Sequence, residues 1–165
     1  MAQYSIFCAL EDFLMNNYII RNAQIKDWPT LLLIFDKSLR SVEQYEKYSE
    51  EDYKQFYKCL MNHSFPLYDI YVYIIDNNIL GFICYHEHKI EMLYVLPQYM
   101  NKGIGSTLLE YVLDKYHETL EIGVSKTNPV SMHIYQKHGF VVVRTEDYDV
   151  SGVYCPHYIM VREYK

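Results

Sequence analysis

Two glycines placed where a strand gives way to a helix, Gly103 and Gly105, carry the clearest chemical meaning in this chain. The run LYVLPQYMNKGIGSTLLEYV, residues 93 to 112, reads as a strand stopped at Pro97, a loop delivering Gly103-Ile104-Gly105, and a helix that begins at once. The first N–H groups of a helix have no intrahelical acceptor, and the helix dipole adds positive potential at the same end. With no side chains in the way, such a point binds phosphate. The same pattern also fits a plain turn before a helix. It is not a Walker loop, because no Gly-Lys-Ser/Thr follows at the required spacing. A dinucleotide fingerprint would need a third glycine at position 108, which is leucine, and a strand–helix–strand start rather than the hairpins that precede it.

Fewer polar side chains have a comparable claim. Strand alternation puts Lys89, Glu91 and Leu93 on one face, and Glu121 and Gly123 on one face of a later strand. His86-Glu87-His88 invites a metal reading, but three adjacent residues rarely converge on one ion, and no metal site is expected. Cys8, Cys59, Cys84 and Cys155 are far apart and contain no C-x-x-C pair, so neither a disulfide framework nor a zinc site is expected. Scattered thiols fit a reducing cytoplasm.

The elements that must position these residues follow from hydrophobic period. Tyr18 to Ala23 is a short β run, and Asp27 is placed to cap a helix opening at Trp28-Pro29 and ending near Arg40. Ser49 with Asp52 resembles a capping box, and Tyr53, Phe56, Tyr57, Leu60 and Met61 then recur on one helical face. From Ile70 the period drops to two. IYVYII, Asp76-Asn77-Asn78 and ILGFICY form a hairpin, and a second turn at His86 to His88 leads into KIEMLYVL. A helix with Ile104, Leu108, Leu109, Val112 and Leu113 on one side is next, then an alternating strand at Leu120, Ile122 and Val124. A helix from about Pro129 to His138 ends at Gly139, and Phe140 to Arg144 and Tyr158 to Val161 close the chain as strands. The order β-α-α-β-β-β-α-β-α-β-β predicts an α/β (α+β) mixed sheet.

With half of its 165 residues hydrophobic and 22% charged, the chain is expected to fold without a disulfide or metal. Its formal net charge of −6 and the absence of any Lys/Arg run argue against a nucleic-acid partner, despite the many aromatic residues. No apolar stretch is long enough to span a membrane, so no membrane association is expected. Residues 1–17 read as an N-terminal extension, in which Ile6, Leu10, Phe13 and Leu14 would line a short docked helix and Met15 is an alternative start. Residues 18–165 read as one domain, since no linker or repeat interrupts them.

Leu93-x-Val95-x-Pro97 followed by Met100-Asn101-Lys102-Gly103-Ile104-Gly105 resembles the pyrophosphate loop of the GNAT superfamily of N-acetyltransferases, which reads Q/R-x-x-G-x-G/A after a strand ending L-x-V-x-P. Met100 departs from it, standing where Gln or Arg is usual. Asn128 to Tyr135 with Gly139-Phe140 resembles the family's N-x-x-A-x-x-x-Y…G-F, with Ser131 in place of the alanine. The resemblance spans residues 18 to 163, and the opening IRNAQIKDW…SLRSVEQYEKYSEEDY resembles the small stand-alone bacterial type. It implies the GNAT fold, a mixed sheet of about seven strands flanked by about four helices. It also implies acetyl-CoA as donor and co-substrate, and a primary amine of a small molecule or protein as acceptor.

The same resemblance implies roles for particular residues. The strand ending near Val95 would splay from the one at Leu120 to Val124, and pantetheine would bond to backbone at Leu93, Tyr94 and Val95. The loop from Met100 through Asn101, Lys102, Gly103, Ile104 and Gly105 to Ser106 would hold the phosphates, and Asn128 the pantetheine arm. The Val95 N–H would face the acetyl carbonyl, where such a donor contributes roughly 2.7–4 kcal/mol in acyl transfer. Tyr135, a phenol of pKa near ~10, would donate to the departing thiolate. Family bases stand at the places of Lys89 and Glu91, of which only Glu91 is a carboxylate. Glu91 reads equally as general base, ammonium anchor or solvated strand residue, with Glu121 a poorer second candidate. Some relatives use a Glu on the next strand, where this chain has Gly123. The two early helices and residues 148 to 156 would shape the acceptor pocket, without naming the acceptor or deciding between monomer and homodimer. The other reading open at this point is a non-catalytic acyl-CoA-binding or sensing module on the same fold.

Overall fold

In the computed structural model, which describes residues 17–41, 49–148 and 154–164, the changes of period become changes of element. The order is β1 (Ile19–Asn22), α1 (Trp28–Arg40), α2 (Glu50–Cys59), β2 (Asp69–Ile75), β3 (Asn78–His86), β4 (Lys89–Val95), α3 (Ile104–Lys115), β5 (Leu120–Ser125), α4 (Pro129–Lys137), β6 (Val141–Tyr148) and β7 (Tyr154–Arg162). The expected N-terminal helix, Cys8 and most of the loop between β6 and β7 lie outside the described residues. The strands form one seven-stranded mixed sheet in the order β1-β2-β3-β4-β5-β7-β6, with β4 and β5 parallel. Four helices of this α/β fold accompany it among the described residues.

Local chemistry explains most boundaries. Both hairpin turns have left-handed backbone at two successive residues, Asp76 and Asn77 (φ 47° and 64°) and Glu87 and His88 (φ 43° and 67°). That is the turn type whose twist suits tightly joined antiparallel strands. Ser49 and Asp52 make the expected capping box, Ser49 Oγ accepting from Asp52 N–H at 3.2 Å and Asp52 Oδ2 from Ser49 N–H at 2.7 Å.

Two expectations need correction. Asp27 does not cap α1 with its side chain. A single 3-10 turn, Ile25–Asp27, precedes the helix, and the Asp27 carboxylate turns back to accept from Gln24 N–H at 2.8 Å and from Arg21 at 2.7 and 3.2 Å. A fixed guanidinium fork outcompetes a helix N–H for a carboxylate. The last two strands are also longer than Phe140–Arg144 and Tyr158–Val161. Six register pairs tie β7 to β5, from Leu120↔Arg162 to Ser125↔His157, and β7 carries β6 along with it. Partner strands extend a strand past what its own residues signal.

The chain divides into two compact units, one holding residues up to Cys84 with Met92–Leu109, the other Tyr85–Glu91 with Glu110–Lys165. In the first, Leu31, Ile34, Phe35 and Leu39 of α1 bury against Tyr53, Leu60, Phe65, Val72, Ile74, Phe82 and Cys84, with Met92, Tyr94 and Leu96 packed at the edge. A polar clasp joins the first two helices. Arg40 bonds Asp36 at 2.6 Å and Glu50 at 2.7 and 3.1 Å, lies 4.0 Å over the Tyr53 ring, and shares Asp36 with the Tyr57 hydroxyl. In the second unit, β5 buries Leu120, Ile122 and Val124 and turns Glu121, Gly123 and Ser125 the other way.

Candidate active site

The first unit contains the expected phosphate loop. After β4, Leu96 N–H bonds Leu80 O at 2.9 Å, and a single turn, Pro97–Tyr99, closes through Tyr99 N–H to Leu96 O at 2.8 Å. Met100 is extended, Asn101 and Gly103 adopt positive φ (60° and 81°), and α3 starts at Ile104. Gly103 is needed there, since left-handed backbone strains a residue with a Cβ. Thr107 N–H bonds Gly103 O at 2.9 Å, so the N–H groups of Gly103, Ile104, Gly105 and Ser106 precede the first helical bond and are offered outward. Gly105 has room above it: an added Cβ would meet only Val95 Cγ2, at 3.9 Å. An open cradle of backbone donors at a helix start fits a pyrophosphate. Side chains add little. Met100 is 39% exposed, and Lys102 Nζ is drawn 5.7 Å over the Tyr99 ring.

Val95, at the end of β4, is held by two residues the sequence reading passed over. Buried Ser38 donates from Oγ to Val95 O at 2.9 Å, fixing the peptide that follows the expected oxyanion donor. The readable signal was a polar residue at the i+7 place of the apolar face Leu31, Ile34, Phe35. Gly81, in mid-β3, lets the backbones close. A Cβ there would come within 2.9 Å of Tyr94 O, 3.2 Å of Val95 Cγ2 and 3.3 Å of Ile104 Cγ2. A glycine inside a strand signals such an approach.

The second unit contains Asn128, Tyr135 and Glu91. Asn128 caps α4, its Oδ1 accepting from Ser131 N–H at 3.0 Å, which leaves the amide nitrogen to donate elsewhere. Tyr135 is 6% exposed, and burial pushes its phenol up to about 12, against a hydrogen bond with the Ser131 side chain that pulls it down. Glu91 faces Lys89 Nζ at 3.2 Å, and Glu121 takes the Arg144 fork at 3.1 and 3.3 Å. Among the described residues, Glu91 and Tyr135 have no bond to each other. The ladder between β4 and β5 has two pairs, Lys89↔Glu121 and Ile90↔Ile122. The histidines beside the β3–β4 turn go separate ways. His86 lies 3.9 Å from Glu87, and His88 Nδ1 pairs with Glu118 at 2.6 Å, a carboxylate that also accepts from the Tyr85 hydroxyl.

A seven-stranded mixed sheet with a glycine cradle opening α3 defines an acyl-CoA acyltransferase fold. Residues 27–140 match the family described as Acetyltransferase (GNAT), and the chain belongs to that family. It is an acyltransferase enzyme, and its class moves an acetyl group from an acyl-CoA donor to an acceptor. It is 27% identical over 148 residues to an uncharacterised N-acetyltransferase of Escherichia coli, YafP, covering 88% of this chain and 96% of YafP. The PaiA N-acetyltransferase of Thermoplasma acidophilum, solved in complex with coenzyme A, has a TM-score of 0.67 at 27% identity, covering 90% of this chain and 99% of PaiA. YncA of Salmonella typhimurium, solved with acetyl-CoA, has a TM-score of 0.69 at 18% identity, covering 91% of this chain and 95% of YncA. No helix among the described residues is long and apolar enough to cross a membrane.

Proposed function

We propose that residues 18–165 form one N-acetyltransferase domain that transfers acetyl from acetyl-CoA to a primary amine of a small molecule or protein. The open cradle of N–H groups from Gly103 to Ser106 carries the reading, and the coenzyme A complex of PaiA supports it. Acetyl-CoA supplies the acetyl group as a thioester. Leu93, Tyr94 and Val95 would bond pantetheine through backbone. The β4–β5 ladder, which includes no residue of β4 after Ile90, supports this. Ser38 would keep the Val95 peptide aimed as charge develops on the acetyl oxygen, where a fixed donor acts most strongly.

Tyr135 would act as a hydrogen-bond donor to the leaving sulfur. A phenol at about 12 remains protonated at any working pH, and full transfer to a thiolate whose thiol titrates near ~8.5 would be uphill. Glu91 already holds one ammonium, that of Lys89, which suits an anchor for the acceptor as well as a base. Exposed Cys59 stands outside any disulfide, which supports a cytoplasmic setting.

Two measurements test this reading. Acetyl-CoA at about 100 times its Kd stabilises a protein by about 2.7 kcal/mol, so the melting temperature should rise by about 5–11 °C for a chain of this size. Thiol release across an amine panel should then show turnover. No shift would remove the acetyl-CoA reading, and a shift without turnover on any amine would remove the amine acceptor.

A further inference from the structure

The face of β5 that turns away from its apolar side carries Glu121, Gly123 and Ser125. The β4–β5 ladder ends at Ile90↔Ile122, and Glu91 and Gly123 are the next residues of the two strands. On its other side β5 pairs with β7, Gly123 opposite Ile159 and Ser125 opposite His157. Gly123 has no side chain, and the His157 ring leans over it: a Cβ built on Gly123 would lie 3.6 Å from His157 Cδ2.

Nδ1 holds the ring, 2.6 Å from Cys155 O. A carbonyl oxygen only accepts, so Nδ1 carries a hydrogen, and Nε2 of the neutral ring has the free lone pair. Glu146 Oε2 lies 3.4 Å from Nε2, and a carboxylate also only accepts, so that pairing forms once Nε2 has taken a proton. At 17% exposure the side chain can be reached by a solute without being loosely solvated. The charged groups around it come from three strands. Glu146 and Arg144 stand on β6, joined at 2.9 Å, Glu121 on β5 takes the Arg144 fork, and Lys89 with Glu91 stands on β4.

From this arrangement we propose that His157, oriented by Cys155 O, is the general base for the acceptor amine, with Glu146 stabilising the imidazolium that forms and Glu91 anchoring the ammonium. The inference rests on the amine-acetyltransferase reading. The acceptor ammonium gives one proton to His157 Nε2. The nitrogen lone pair so freed forms the C–N bond to the acetyl carbon as the C–S bond breaks and its electron pair leaves with sulfur. The second proton lost by nitrogen ends on that sulfur, giving amide and thiol, and His157 returns its own proton to water.

The test is a pH–rate profile of the full chain with acetyl-CoA and the best amine found, for the parent, His157→Gln and His157→Gly. Glutamine can keep the bond to Cys155 O but cannot take the proton. kcat near neutral pH should fall by at least about tenfold, the loss should shrink as pH rises and more amine is free, and acetyl-CoA should still raise the melting temperature. Added imidazole should restore part of the activity of His157→Gly. If His157→Gln retains the parent rate and profile, or loses rate equally at every pH without imidazole rescue in His157→Gly, His157 is not the base. A parent inert on every amine sinks the amine-acceptor reading together with this inference, whereas an active parent with an indifferent His157 sinks the inference alone.

Discussion

Single residues here separate holding a ligand from holding the fold. Gly103 needs its backbone conformation, so replacing it tests both at once, whereas Gly105 has ordinary backbone and free space above it. Gly105→Ala should therefore fold normally yet weaken acetyl-CoA binding, and Gly105→Val should abolish the thermal shift. A Gly105→Val protein that still shifts like the parent would mean the phosphates bind elsewhere. Asn128 divides in the same way. Asn128→Ala loses the cap of α4, a cost of about 0.5–2 kcal/mol in stability. Asn128→Asp keeps the capping oxygen but gives up the amide N–H groups, so it should melt near the parent while binding acetyl-CoA more weakly. Equal binding by Asn128→Asp and the parent would confine Asn128 to capping. For Tyr135→Phe, the ring still packs beside Phe140 while the proposed donor to sulfur is gone. kcat should drop by about tenfold or more with acetyl-CoA binding near normal, and a kcat within twofold of the parent would remove Tyr135 from the chemistry.

At the scale of elements, much was legible because the signals were local. Alternation, the Asp76-Asn77 turn, the Ser49–Asp52 box and the Gly139 stop each concern residues within four positions of one another, and each element appears where they place it. The glycine loop was legible for the same reason, with Pro97, Gly103 and Gly105 a few residues apart. What escaped were couplings across long stretches of chain. Ser38 reaches Val95 over 57 positions, Arg144 reaches Glu121 over 23, and His157 meets Gly123 only once β7 has paired with β5. Periodicity gives which face a residue takes, not which strand lies beside it. The clasp of α1 on α2 is of this second kind and makes its own prediction. Burial pushes the Asp36 carboxyl up, but the Tyr57 and Arg40 hydrogen bonds outweigh it and hold it below its usual range. Arg40→Met leaves that half-buried carboxylate with one partner fewer and releases Glu50. Hydrogen exchange should then quicken across Glu50–Cys59 while β2 and β3 stay protected. Unchanged exchange in α2 would show that apolar packing alone seats it.

For the molecule as a whole, these ion pairs set the response to acid. Asp27, Asp36, Glu50, Asp52 and Glu146 are all held below the ordinary carboxylate range. A carboxyl that binds its proton less readily folded than unfolded contributes stability that is complete above its unfolded value, near ~3.9–4.3, and is lost as pH falls through the folded value. Against this, the net charge of −6 makes mild acidification relieve repulsion first. The melting temperature should thus stay level or rise slightly from pH 7 to about 5 and fall below about 4. The five groups do not share the effect equally. Glu50 and Asp52 are exposed and Glu146 is only half-buried, so solvent screens each pair to little net value. Asp27 is buried, and the Arg21 hydrogen bonds hold its carboxyl down against the opposing pull of burial. Asp27→Asn should therefore be less stable than the parent at pH 7 and converge with it as the parent's Asp27 protonates in acid. Glu146→Gln should track the parent throughout. Two Asp27 curves that stay parallel down to pH 2 would assign that residue a steric role and leave the acid limb to the exposed carboxylates.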